Sequence, residues 1–249
     1  MKIAIIQTQL FWENPLENRK LFEQKINSIS ENVDLIVLPE MFTSGFTMNP
    51  EIVAETMTGE AILLLKNLAK SKNCAITGSL VISENNNFYN RMVFVFPEGN
   101  IEYYDKKHLF TLAGEDKVYK AGNQKKIVEF RNFKICLQIC YDLRFPTFAR
   151  NIEDYDVLIY VANWPKTRIN AWDILLKARA IENMCYTIGV NRIGKDNNNL
   201  KYIGHSQVID YLGNNLINSK EKDGIFIANL DKTEMLLTRN KLGFLKDRD

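Results

Sequence analysis

The chain is 249 residues long, 46% hydrophobic and 25% charged, with a formal net charge of +2. That is enough apolar material to bury a core without disulfides or a structural metal, which sets aside the disordered and disulfide-stapled classes. Lysines and arginines are scattered along the chain, so neither a nucleic-acid partner nor a membrane surface is expected.

The amino-terminal "KIAIIQT" (residues 2–8) reads as a strand and not as a signal peptide, because the apolar run is short and no small-residue cleavage site follows. No apolar run is long enough to span a bilayer, and the expected location is the cytoplasm. Residues 13–31 carry a helical pattern with Phe22, Ile26 and Ile29 on one face. "DLIVLPE" (34–40) is apolar at nearly every position, as in a strand covered on both faces. Residues 60–72 read as a second helix and "CAITGSLVI" (74–82) as another strand. Hairpins follow: Pro97-Glu98-Gly99-Asn100 separates two extended runs, and Arg131-Asn132 separates two more. The strand "DVLIYVANWP", the helix "RINAWDILLKARAIENMC", the strand "YTIGVNRIG", a hairpin in "SQVIDYLGNNLINS" and the strand "GIFIANL" complete the order. No linker or repeat intervenes, so residues 1–249 are expected to form one α/β domain with mixed sheets.

Three buried-looking strands end in polar or reactive positions: Glu40, Cys140 and the region of Trp164. In α/β folds ligands gather beyond the carboxyl ends of strands, which makes these ends candidate walls of one pocket. In "KICLQIC" the alternation puts Cys136, Gln138 and Cys140 on one face. Pro146 suits a helix start, so "YDLRFPTFARN" reads as a turn from strand into helix. A cysteine at such a corner would meet free N–H groups and the positive end of a helix dipole, both of which favour the thiolate. Position alone leaves two readings of Cys140 open, a small core residue and a nucleophile.

A nucleophile needs a base, and neither His108 nor His205 is near Cys140 in sequence. A carboxyl in a water-poor pocket can serve, and Glu40 is the candidate, with an exposed loop glutamate as the plain alternative. A developing oxyanion needs positive charge. Lys106 and Lys107 end an extended run, and since strand neighbours face opposite ways only one can enter the pocket. An ordinary surface lysine is the alternative for either. The four cysteines match no zinc spacing, and no metal is expected.

Taken together, "LPEMFTSGF", "YDKKHLF" and "ICYDLRFP", with the later "ANWP", "ARAIEN" and "GVNRIG", resemble the carbon–nitrogen hydrolase (nitrilase) superfamily over nearly the whole chain. The resemblance implies a Glu–Lys–Cys triad of Glu40, Lys106 and Cys140, since the family lysine stands two residues before the histidine. It implies that Glu115, ahead of "YKAG", holds Lys106 or the substrate amide. It further implies a four-layer α-β-β-α sandwich with mixed sheets, a homodimer, and no metal or organic cofactor.

Tyr141-Asp142 after the cysteine, where nitrilases continue with Trp-Glu, is similar to the omega-amidase branch. The implied partner is then a small amide with a remote carboxylate. Arg144 is expected to bind that carboxylate bidentately, Tyr141 to add a hydrogen bond, and Phe42 and Trp164 to form apolar walls. A salt bridge to Asp142 is the competing account of Arg144, and core packing that of the two aromatics. His205 stands where relatives usually carry an acid, which bears on local loop contacts. The rival readings are another amidase or a nitrilase of the same superfamily, a non-catalytic scaffold, and a redox pair of Cys136 and Cys140.

Overall fold

The computed structural model describes residues 1–248. In chain order the strands are β1 (Lys2–Gln7), β2 (Leu35–Val37), β3 (Ala75–Glu84), β4 (Asn87–Val95), β5 (Ile101–Asp105), β6 (Lys126–Phe130), β7 (Phe133–Ile139), β8 (Val157–Ala162), β9 (Tyr186–Asn191), β10 (Ile193–Lys195), β11 (Lys201–Ile203), β12 (Gln207–Ile209), β13 (Asn215–Asn218) and β14 (Gly224–Asn229). The helices are α1 (Pro15–Asn27), α2 (Glu60–Lys72), α3 (Glu115–Val118), α4 (Pro146–Ala149), α5 (Ile169–Asn183) and α6 (Lys232–Leu242). β10 and β11 pair as a separate two-stranded ribbon; of the two large sheets one runs β14-β1-β2-β3-β4-β5 and the other β13-β12-β9-β8-β7-β6. Each has a parallel centre, β1-β2-β3 and β7-β8-β9, flanked by antiparallel strands, so both sheets are mixed.

Strand alternation builds the layers. Ile3, Ile5, Leu35, Val37, Met92 and Phe94 point from the first sheet into a core shared with Ile135, Leu137, Ile139, Ile159 and Val161 of the second. Their neighbours turn outward. Ala4, Ile6, Ile36 and Ile76 pack under Phe22 and Ile26 of α1 and Ala61 and Leu65 of α2. On the far side Cys136, Leu158, Tyr160 and Ala162 pack under Trp172, Leu176 and Ala180 of α5. The result is the expected four-layer α-β-β-α sandwich. Each fully buried Leu or Ile in these layers contributes about 1.5–3 kcal/mol. No helix among the described residues is long and apolar enough to cross a membrane.

The expected boundaries shift for local reasons. Helix α1 starts at Pro15 because Asn14 caps it, its side chain accepting from Glu17 N–H at 3.2 Å. The helix ends at Asn27, so Ile29 buries from the following loop. All three expected hairpins form, β4–β5, β12–β13 and β6–β7, the last with Arg131 (φ +49°) and Asn132 (φ +63°) in the left-handed conformation of a tight turn. A fourth hairpin, β3–β4, turns through Asn85 and Asn86 in the same way. It went unread because the apolar runs on either side of "SENNN" do not alternate cleanly. Helix α6 also went unread: it buries little more than Met235 and so carries almost no apolar stripe.

Candidate active site

The two sheets bring their carboxyl-end loops to one place. Glu40 follows β2, Lys106 follows β5, Cys140 follows β7 and Asn163 follows β8. Glu40 and Glu115 are fully buried and Lys106 is 1% exposed. Buried charge at this density requires pairing, and the pairing is complete. The Lys106 ammonium donates to Glu40 Oε1 at 2.9 Å and to both Glu115 oxygens at 2.9 Å. Asn90 Nδ2 bridges the two carboxylates, 2.8 Å from Glu40 Oε1 and 3.2 Å from Glu115 Oε1, and is itself oriented by the Ser79 hydroxyl, which donates to its Oδ1 at 2.8 Å. Glu40 Oε2 accepts from the Asn163 backbone N–H at 2.8 Å, and Glu115 Oε2 from that of Phe110 at 2.6 Å. Burial pulls the Lys106 ammonium down, but Glu115 and Glu40 outweigh it and hold the group above its ordinary value. Burial raises the Glu115 carboxyl even against Lys106. An ammonium touching three carboxylate oxygens nevertheless favours the ion pair over a neutral one.

Cys140 has φ +45°, a left-handed backbone that costs a non-glycine residue on the order of 1–3 kcal/mol. The strain aims the thiol away from the β7 register and into a cavity of ≈ 340 Å³ shared with Lys106, Tyr141, Asn163 and Trp164. The expected helix start differs from what forms. A 3₁₀ segment, Cys140–Arg144, follows the strand, and α4 is only four residues long. The helix dipole is correspondingly weak, and the thiol is not held as a thiolate. Burial, then the negative charge of Glu40, pushes its pKa well above the ordinary value, with Lys106 opposing. Cys136 lies on the same face but belongs to the core under α5, so the two do not form a redox corner.

Asp142 latches the Cys140 loop to the Lys106 loop. Its Oδ2 accepts from Ile139 N–H at 3.0 Å and from the Tyr104 hydroxyl at 2.7 Å. Its Oδ1 accepts from His108 N–H at 2.9 Å and from His108 Nδ1 at 2.8 Å, which therefore carries the proton. His108 also stacks on Phe145, centroids 3.8 Å apart. The histidine that sequence separation set aside thus stands in the site's support, facing the latch. Asp142→Asn puts an amide N–H₂ against two of those donors, and is expected to cost about 2 kcal/mol and on the order of 5 °C in Tm, with turnover reduced. Thermal unfolding alongside a rate assay checks this, and an unchanged Tm would rule the latch out.

The remaining expectations divide. Tyr141 and Arg144 line the cavity. Arg144 does not bridge to Asp142, whose oxygens are occupied, but lies over the Trp164 ring at 5.1 Å. Trp164 is both wall and core, 3% exposed and packed against Trp172. Phe42 is a correction. It is fully buried beneath α1, edge-on to Phe22 at 5.3 Å, and does not line the cavity; Phe46 does. The left-handed Met41 (φ +43°) turns the chain there, sending Phe42 to the helix layer and Phe46 to the pocket. Lys107 stays outside the charge cluster, its N–H bound to the Tyr104 hydroxyl. His205 contacts Asp173 at 2.9 Å, on the α5 side. Sequence reading missed Asn90 and Ser79, single polar residues inside β4 and β3, and Phe46, Phe110 and Arg168, which lie in loops or short turns without a pattern of their own. Asn163 was visible only as part of "ANWP".

The family profile described as carbon–nitrogen hydrolase matches residues 2–240. The chain belongs to this family and is a hydrolase of amide carbon–nitrogen bonds. It is 44% identical over 213 residues to the omega-amidase YafV of Yersinia enterocolitica, covering 86% of this chain and 82% of that protein. It is 34% identical over 250 residues to the 2-oxoglutaramate amidase of Bacillus subtilis, covering 98% and 96%. Among solved structures, XC1258 of Xanthomonas campestris, a CN-hydrolase superfamily protein with an arsenic adduct in its active site, superposes with a TM-score of 0.97 at 36% identity, covering 100% of this chain and 97% of that one.

Proposed function

We propose that the protein is an omega-amidase that hydrolyses the terminal amide of small dicarboxylate monoamides, 2-oxoglutaramate or succinamate, to the acid and ammonia. The observation that carries the chemistry is the buried Glu40–Lys106–Glu115 cluster opening onto Cys140 in one cavity. The functions of the two relatives, an omega-amidase and a 2-oxoglutaramate amidase, support the substrate class. The Cys140 thiol is protonated at rest, so attack requires a base at the moment of reaction. Glu40 takes the proton as sulfur bonds to the amide carbon. The oxyanion is met by Lys106 and by the backbone N–H of Tyr141, a first-turn group with no carbonyl upstream in its own turn. Glu40 then gives the proton to the departing nitrogen, ammonia leaves, and an acyl-thioester remains on Cys140. Water, deprotonated by Glu40, hydrolyses it. Glu115 keeps Lys106 charged and in place. Arg144 faces the substrate's remote carboxylate, and Tyr141 and Trp164 flank the chain between.

Ammonia release from 2-oxoglutaramate, with Cys140→Ala in parallel, tests the proposal. The expected result is ammonia from the wild type and none above background from the variant. Equal release from both would sink the thioester mechanism. Silence from the wild type with omega-amides, and release from other amides, would overturn the substrate class.

A further inference from the structure

The cavity holds a second unpaired guanidinium that the amide chemistry does not use. Arg168, the last residue of the short 3₁₀ turn after "ANWP", lines the same space as Cys140 and Arg144. Its backbone is fixed: the carbonyl accepts from Trp164 Nε1 at 2.7 Å, and the N–H donates to the Pro165 carbonyl at 3.0 Å. Its side chain has no ion pair or hydrogen bond among the described residues, nor does that of Arg144. Each guanidinium lies instead over an aromatic face, Arg168 over Phe110 at 5.0 Å and Arg144 over Trp164 at 5.1 Å. Stacking occupies the face of the planar group and leaves its N–H edge free. Among the described residues that line the cavity the one carboxylate, Asp196, is already engaged. Its Oδ1 accepts from Asn198 and Leu200 N–H at 2.8 and 3.0 Å, and its Oδ2 from the Tyr202 hydroxyl at 2.9 Å.

Two free forks exceed what a simple carboxylate needs. One guanidinium meets both carboxylate oxygens side by side. A 2-oxo acid presents a third acceptor, the oxo oxygen, next to that carboxylate. We infer that Arg168 is the specificity-determining residue for a 2-oxo acid end, donating to the oxo oxygen while Arg144 holds the carboxylate. The inference rests on the omega-amidase reading and narrows it: the preferred substrate is the omega-amide of a 2-oxo dicarboxylic acid, ahead of succinamate. Arg168 is half-buried and Arg144 exposed, and each already lies over an aromatic ring before substrate arrives, which lowers the rotamer freedom lost on binding.

The test compares kcat/KM for 2-oxoglutaramate and succinamate in wild type, Arg168→Ala and Arg168→Lys. Arg168→Ala should lower kcat/KM about tenfold or more for 2-oxoglutaramate, the loss of a charged hydrogen bond, and about threefold or less for succinamate, with Arg168→Lys between. An equal fall for both substrates, or no fall, would overturn the inference and leave the omega-amidase reading intact. If the wild type hydrolyses neither amide, the omega-amidase reading fails on its own. Calorimetric binding of 2-oxoglutarate and succinate to the Cys140→Ala protein then decides the role of Arg168. A preference for 2-oxoglutarate that disappears when Arg168→Ala is added upholds it, and binding indifferent to Arg168 refutes it.

Discussion

Lys106→Ala should be both inactive and less stable, and the two losses have separate causes. The ammonium is the cation between two buried carboxylates. Removing one partner of such a cluster strands the others in a low dielectric and costs about 3–5 kcal/mol. For a chain of this length that is on the order of 10 °C in Tm. Turnover should fall by about 10²–10³ from the loss of an oxyanion donor. A second substitution separates the effects. Lys106→Met with Glu115→Gln removes one stranded charge, so Tm should recover by several degrees while ammonia release stays at the level of the single variant. Recovery of activity with stability would mean that Lys106 serves only the fold.

The second expectation turns on the protonation of Cys140. Burial and then the Glu40 charge hold the thiol pKa up, and both act by disfavouring the anion. Glu40→Gln removes the second cause and leaves Lys106 paired with Glu115 alone. The thiol pKa must therefore fall, and the thiolate fraction at a given pH must rise. The pH curve for alkylation of Cys140 by iodoacetamide, followed by mass spectrometry, should shift to lower pH in the variant. Turnover should nonetheless fall by about 10²–10⁴, because the variant has a readier nucleophile and no base or acid. An alkylation curve that stays in place or moves to higher pH would show that Glu40 does not act on the thiol. Retained turnover would assign the proton transfers elsewhere. Two fully buried thiols give an internal reference: burial is the largest cause that pushes Cys74 up to about 11, against Lys72, and Cys185 to about 12, against Arg239.

The reacting groups were legible because each ends a strand whose apolar character is written locally. "DLIVLPE" and "KICLQIC" announce buried strands, and a carboxyl or thiol at the end of one stands out against them. The hairpins that turn at Gly99 and at Arg131-Asn132 were legible for the same reason, whereas β3–β4, turning at Asn85-Asn86, was not. The supports were not. Asn90 is one polar residue inside β4, and only the approach of β2 and α3 gives its amide two carboxylates to bridge. Phe42 and Phe46 are four residues apart in one loop, and a left-handed residue before each, Met41 (φ +43°) and Gly45 (φ +75°), turns the chain so that one faces the core and the other the pocket.

The sequence by itself determined the α/β alternation and the strand ends, because side-chain periodicity and turn chemistry act over a few residues. It offered Cys140, Glu40 and the Lys106–Lys107 pair as candidates, and the resemblance of their motifs to the carbon–nitrogen hydrolases singled out Cys140, Glu40 and Lys106. The tertiary structure decided which of these groups meet, which arginines are left unpaired, and what state the thiol rests in. Charge and proton affinity depend on every group packed around a site. Here those groups come from strands of two sheets that lie far apart in the chain, so the resting thiol is set by burial and Glu40, not by the short turn that follows it.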